Sequence, residues 1–158
     1  MVAFDGRKQR GMDADTICRF RDIALLELKR AERYRNFLSL LVLNLSEFLS
    51  TAGRRKIISQ EEAEQFMERV VNRLKGGARE TDFISGVNTQ HLVMLLPETD
   101  RQGAQVAAKR FKEVLSEFLS DFFESEYQFE IPLEITSFPE QSGKRNFQNR
   151  LKKIFLQD

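Results

Sequence analysis

The period of the apolar positions changes several times along this chain, and each change marks an element. From about Asp15, Ile17, Phe20, Ala24, Leu28 and Ala31 recur at three- and four-residue spacing, which predicts an amphipathic helix closing near Tyr34. Asp15 or Thr16 is placed to cap its first turn, and Ile23, Leu25 and Leu26 widen the stripe toward burial on more than one side. The run from Phe37 to Leu45 is short and almost continuously apolar, as a central strand covered on both faces requires. Ser59 and Glu62 form a capping-box pattern ahead of Ala63, Phe66, Met67, Val70, Val71 and Leu74, which make one helical face. Gly76-Gly77 is expected to end that helix in a left-handed turn.

Two short strands, Thr81 to Ser85 and Gln90 to Leu96, flank Gly86-Val87-Asn88-Thr89, a hairpin turn in which Gly and Asn tolerate positive φ. Pro97 stops the second strand. Thr99 or Asp100 then caps a long helix through Ala104, Ala107, Ala108, Phe111, Val114, Leu115, Phe118 and Phe122. The next strand alternates Phe129, Ile131, Leu133 and Ile135 with Gln128, Glu130, Pro132 and Glu134. Pro132 has no N–H to give to a ladder, so this strand lies at an edge or turns that position outward. After Pro139 and Gly143, a basic amphipathic helix carries Phe147, Leu151, Ile154 and Phe155. Strands that alternate with helices around a central hairpin predict an α/β (α+β) domain: a single mixed, mostly antiparallel central sheet with helices packed around it.

Length and composition narrow the class. The 158 residues suffice for one domain that folds without metal or disulfide staples, read as an arm or linker over residues 1–14 and a folded unit over 15–158. Cys18 is the only cysteine, which excludes an internal disulfide, fits a reducing compartment and reads as a small packed side chain. Met1 to Met12 lacks the apolar core of a secretory signal, and Phe37 to Leu45 is too short to cross a bilayer, so a cytoplasmic domain without membrane insertion is expected. A net charge of +1 gives no pull toward nucleic acid. The basic clusters Arg54-Arg55-Lys56 and Lys144-Arg145, with Arg150, Lys152 and Lys153, read as solvated faces.

The order and spacing of these pieces resemble the GGDEF (diguanylate cyclase) family. The resemblance is carried by Glu27 to Tyr34, Leu38 to Asn44, Arg79-Glu80-Thr81-Asp82, Leu95-Leu96-Pro97-Glu98-Thr99-Asp100 and Gly103-Ala104, and covers roughly Asp15 to Pro139. It implies a nucleotide-cyclase-like fold. Counting back from Leu95-Leu96-Pro97 puts the family's signature on Asn88-Thr89-Gln90-His91-Leu92, so Asn88 and Thr89 stand for the two glycines and Gln90 for the acid that helps hold magnesium. The strand-ending aspartate becomes Asn44, the acid two residues on becomes Ser46, and the lysine and Asn-Asp pair that follow are replaced around Leu49 to Gly53. The family's terminal helix motif is not recognisable after Pro139.

These exchanges carry a chemical expectation. Joining two GTP molecules needs a 3′-hydroxyl to attack an α-phosphate beside divalent ions, and magnesium prefers carboxylate oxygens to neutral amides. No catalytic residue and no cofactor is therefore expected, and Asn44, Asn88, Thr89, Gln90 and His91 mark the altered positions. Arg79 and Asp82 keep the Arg-x-x-Asp element that in the family binds cyclic di-GMP away from catalysis. Guanidinium and carboxylate suit phosphate and the guanine edge. The same two residues also read as a surface ion pair. Two functions stay open: a cyclic di-GMP receptor through Arg79 and Asp82, or an interaction module for a protein partner or a second copy of the chain. His91, the one histidine, reads as structural or solvent-facing.

Overall fold

The computed structural model describes residues 14–47, 59–123, 131–139 and 143–155. Its elements are α1 (Ala14–Tyr34), β1 (Leu38–Asn44), α2 (Gln60–Lys75), β2 (Phe83–Gly86), β3 (His91–Pro97), α3 (Arg101–Phe123), β4 (Leu133–Phe138) and α4 (Lys144–Phe155). The four strands form one sheet in the order β2-β3-β1-β4, and each pairing is antiparallel, so the sheet that was expected to be mostly antiparallel is wholly so among the described residues. From β1 to β4 the order β-α-β-β-α-β is the split βαβ arrangement, here with a helix added at each end.

The continuous apolarity of the inner strands follows from helices on both faces. Along β1, Leu41 and Leu43 enter one core with α2 and α3, whereas Leu38, Leu40 and Val42 enter a second core with α1 and α4. Strand β3 alternates in the same way, Leu92, Met94 and Leu96 to the first core, Val93 and Leu95 to the second. Both strands lack a solvent face, so the binary alternation of a half-exposed strand never appears in them.

Helix boundaries follow local chemistry. Ser59 caps α2 with both capping-box bonds in place, Glu62 N–H donating to Ser59 Oγ at 3.1 Å and Ser59 N–H to Glu62 Oε1 at 3.0 Å. Asp100 caps α3, its Oδ1 accepting from Gly103 N–H at 2.8 Å. In α1, Asp15 and Thr16 lie inside the first turn rather than ahead of it. The left-handed glycine turn expected after α2 does not form. Gly76 stays right-handed at φ −64°, and Gly76, Gly77 and Ala78 each donate to the carbonyl three residues back, tightening the last turn.

The left-handed residue appears instead at the end of α1, where Arg35 has φ 57° and Asn36 N–H reaches the Ala31 carbonyl at 2.9 Å. This is the Schellman closure, made with a side chain where glycine fits best. Arg35→Gly is therefore expected to raise unfolding free energy by about 0.5–1 kcal/mol, the left-handed strain relieved less the flexibility glycine adds to the unfolded chain. Urea titration of the two proteins measures it.

Two readings of α1 change. Leu26 is 51% exposed, although Ile23 and Leu25 do pack partly buried against the core, and Cys18 is exposed rather than packed. Strand β4 begins at Leu133, with Pro132 just outside it and at the sheet edge; Gln128, Phe129 and Glu130 fall outside the described residues. So do Arg54-Arg55-Lys56, Leu49 to Gly53 and the residues before Ala14. The last helix is firmly seated: Phe147, Leu151 and Ile154 are buried, Phe147 meets Phe138 edge-on at 6.4 Å, and Phe155 lies 5.7 Å from Phe20 of α1. Among the described residues, no helix is long and apolar enough to cross a membrane.

Candidate functional site

Among the described residues, a cleft lies at each end of β1. Asn44 pairs with His91 at one end, and Leu38 pairs with Pro97 at the other. Six strand steps separate them, roughly 20 Å.

At the Asn44 end a cleft of about 260 Å³ is lined by Asn44, Asn88, His91, Glu134, Arg150 and Lys153, among others. The β2–β3 turn is closed by a side chain. Asn88 Oδ1 accepts from the backbone N–H groups of Gln90 and His91, each at 2.8 Å, and lies 3.2 Å from His91 Nδ1. No residue of this turn has positive φ, contrary to the expectation for Gly86 and Asn88; the Asn88 oxygen organises the loop instead. Asn44 Oδ1 is likewise engaged locally, accepting from Ser46 N–H at 2.9 Å. Glu134 pairs with Arg150. Magnesium fits this donor set poorly: the amide oxygens of Asn44 and Asn88 serve the backbone, and the carboxylate lining the cleft is already neutralised by a guanidinium. Among the described residues, no three His, Cys, Asp or Glu side chains converge as a metal site.

Burial lowers the pKa of His91 from its ordinary 6.5. The folded state thus favours neutral imidazole, while the unfolded chain takes up a proton near 6.5. Stability from this residue is complete above that value and is lost as pH falls from it toward the lower folded value. Urea midpoints are expected to decline from about pH 7 to about pH 5.5, and to decline less in His91→Gln.

The second cleft, about 370 Å³, is lined by Arg79, Asp82, Thr99, Gly103 and Arg110 among others. Arg79 and Asp82 are neither a loose surface pair nor two free ligand groups. The Asp82 side chain is 2% exposed and closes its own turn, accepting from Arg79 N–H at 3.0 Å and from Arg79 Nη2 at 3.1 Å. The same Nη2 donates to the Pro97 carbonyl at 3.0 Å and to Thr99 Oγ1 at 2.6 Å. Thr99 is itself held from behind, its carbonyl accepting from the buried Ser39 hydroxyl at 2.8 Å, which meets Ser137 Oγ at 2.9 Å. One edge of the guanidinium is thereby fixed, while the side chain as a whole is 52% exposed. Such an arginine is pre-oriented for an anionic or carbonyl acceptor.

Sequence reasoning missed Arg110. It enters the cleft because Gly103, Val106, Ala107 and Arg110 follow helical spacing down one side of α3. Gly103 also has a steric reason to be glycine, since a Cβ there would lie 3.1 Å from both Asp100 Oδ1 and Thr99 Cγ2, pressing on the cap and on the residue that holds Arg79. That stripe was the available signal, overshadowed by the apolar face beside it.

The family model described as "Diguanylate cyclase, GGDEF domain" matches residues 18–154. No curated protein matches the sequence. Among solved structures, the chain is similar to the GGDEF domain of PA1120 (YfiN or TpbB) from Pseudomonas aeruginosa, at 18% identity and TM-score 0.68, covering 86% of this chain and 84% of that one. It is also similar to the GGDEF domain of DgcB from Caulobacter crescentus, solved in complex with c-di-GMP, at 13% identity and TM-score 0.63, covering 97% of this chain and 89% of that one. A third is the diguanylate cyclase SiaD from Pseudomonas aeruginosa, in complex with its activator SiaC, at 15% identity and TM-score 0.67, covering 92% of this chain and 56% of that one. These identities bear on the fold alone. The family match spans nearly the whole chain, and the protein belongs to the GGDEF domain family.

Proposed function

We propose that this GGDEF domain has no cyclase activity and serves as a regulatory receptor for cyclic di-GMP at the Arg79 cleft. The observation that carries the receptor reading is the fixed Arg79 guanidinium, tied to Asp82, Pro97 and Thr99 and sharing a cleft with Arg110. Two guanidinium groups around one depression suit a ligand with two phosphodiesters and two carbonyl-bearing guanines. In this reading Arg79 and Arg110 touch the ligand and Asp82 holds Arg79 in place.

Loss of chemistry is supported at the other end of β1. Asn44 and Gln90 replace the expected carboxylates, and Asn44 and Asn88 commit their side-chain oxygens to backbone N–H groups. Neutral amides do not offset the charge of two magnesium ions and a triphosphate.

The pure protein with GTP and magnesium is expected to yield no cyclic di-GMP, while titration with cyclic di-GMP gives saturable heat and a melting temperature that rises with ligand concentration. Product formation from GTP overturns the first half of the proposal. Failure of the wild-type protein to bind at high micromolar ligand overturns the second.

A further inference from the structure

Among the described residues, Leu26, Tyr34, Phe37 and Val106 are the large apolar side chains left exposed, and all but Leu26 lie together. Phe37 and Val106 line the Arg79 cleft. Phe37 and Tyr34 line a neighbouring cleft of about 280 Å³ that also contains Arg30. Phe37 and Glu98 belong to both, so the two depressions share a wall. Isolated exposed apolar residues need no explanation, but three gathered around arginine-lined depressions do.

The backbone holds Phe37 at this position. It follows the left-handed Arg35, and its carbonyl accepts from Glu98 N–H at 2.8 Å, Glu98 being the other non-glycine residue with positive φ, at 53°. The two left-handed residues thus bracket Phe37, one where α1 turns into β1 and one where β3 turns into α3. The next residue, Leu38, is 1% exposed and enters the core, whereas Phe37 remains 41% exposed on the ridge between the clefts. Tyr34 carries the Arg33 guanidinium over its ring at 5.5 Å, a second aromatic surface with positive charge beside it.

We infer that Phe37 is a base-stacking platform, and that the ligand site extends across it from the Arg79 cleft into the Tyr34 cleft. This rests on the receptor reading above and adds a specificity element to it. A cyclic dinucleotide presents two purine faces joined by an anionic ring. Arg79 and Arg110 take acceptors of one half, the phenyl ring takes a purine face, and Arg30 and Tyr34 border the second half. Stacking suits an exposed aromatic ring because every base has a π-face, and nearby arginines complement the phosphodiesters.

Calorimetric titration of the full chain with cyclic di-GMP tests the inference in Phe37→Ala, Phe37→Leu and Phe37→Tyr, with melting curves for each. Alanine is expected to weaken binding at least about fivefold, leucine to do nearly as much because it keeps bulk without a π-face, and tyrosine to stay close to wild type. A half-exposed ring makes a modest contribution to folding, and the tyrosine variant separates stacking from any local rearrangement. Wild-type affinity in Phe37→Ala, alongside lost affinity in Arg79→Ala, overturns the stacking role and leaves the receptor reading standing. Equal binding by the leucine and wild-type proteins also overturns it. Absence of binding by the wild-type protein removes both.

Discussion

Replacing Arg79 with alanine is expected to weaken cyclic di-GMP binding by about one to two orders of magnitude, since a charge-assisted hydrogen bond contributes about 1.5–3 kcal/mol and each 1.4 kcal/mol is about tenfold. The effect should exceed that of removing an ordinary surface arginine because this guanidinium is already immobilised. Its Nη2 is shared among Asp82, Pro97 and Thr99, so little side-chain freedom is left to lose on binding. Arg79→Lys keeps the charge but not the planar fork and should recover only part of the affinity. Arg79→Ala also leaves the buried Asp82 carboxylate with one partner fewer, so some loss of thermal stability accompanies the lost affinity. Titrations below the melting range of each variant keep the two effects apart. An Arg79→Ala affinity within twofold of wild type would place the ligand elsewhere.

Phe147→Ala is expected to lower unfolding free energy by about 3–5 kcal/mol, as burying and then deleting a whole aromatic ring does in a packed core. Phe147 is fully buried in the core made by α1, α4 and one face of the sheet, with the Phe138 ring set edge-on against it. Domains of this size are commonly stable by only about 5–15 kcal/mol, so a large part of the total would go. Urea denaturation with far-ultraviolet circular dichroism reads the change. Lys152→Ala, one residue beyond the buried Leu151 and exposed, is expected to stay within about 0.5 kcal/mol of wild type. A cost below about 1 kcal/mol for Phe147→Ala would mean that α4 does not pack on the sheet in solution.

The elements legible in advance were those whose signals are local. Ser59 and Glu62 specify a helix start within four residues, and the packed run of β1 announces a strand covered on both sides. Pro132 limited its strand to an edge or an outward-turned position because a missing donor is a property of one residue; the strand begins just after it, at the edge. Where two local solutions compete, the sequence decided less. Gly76-Gly77 permits a left-handed turn without requiring one, and the tightened last turn of α2 satisfied the carbonyls first. Arg35 has no composition that marks it as left-handed; its conformation is imposed by the junction between α1 and β1. Leu26 was read as part of a widened apolar stripe and Cys18 as a small packed side chain without a partner histidine, yet both are exposed in the fold.

The site divided along the same line. Asn44, Gln90, Arg79 and Asp82 were placed by the resemblance to the GGDEF family. The Asn44 and Asn88 oxygens reach N–H groups only two or three residues on, whereas the burial of Asp82 and the presence of Arg110 in the Arg79 cleft depend on which elements meet. Sheet order and helix placement settle such facts, and no window of a dozen residues contains them.

Helices α1 and α4 lie against the same side of the sheet, tied by Phe20 against Phe155 and by Lys144 donating to Glu32 at 2.9 Å. The polypeptide therefore enters and leaves the described body close to one place. A module with adjacent entry and exit can be spliced into a surface loop of a host without prising the host apart, and a pull on either flank loads the same helix pair before it strains the strands. Any signal reaching this domain mechanically should act first on the α1–α4 seam, whose α4 residues Arg150 and Lys153 also line the Asn44 cleft.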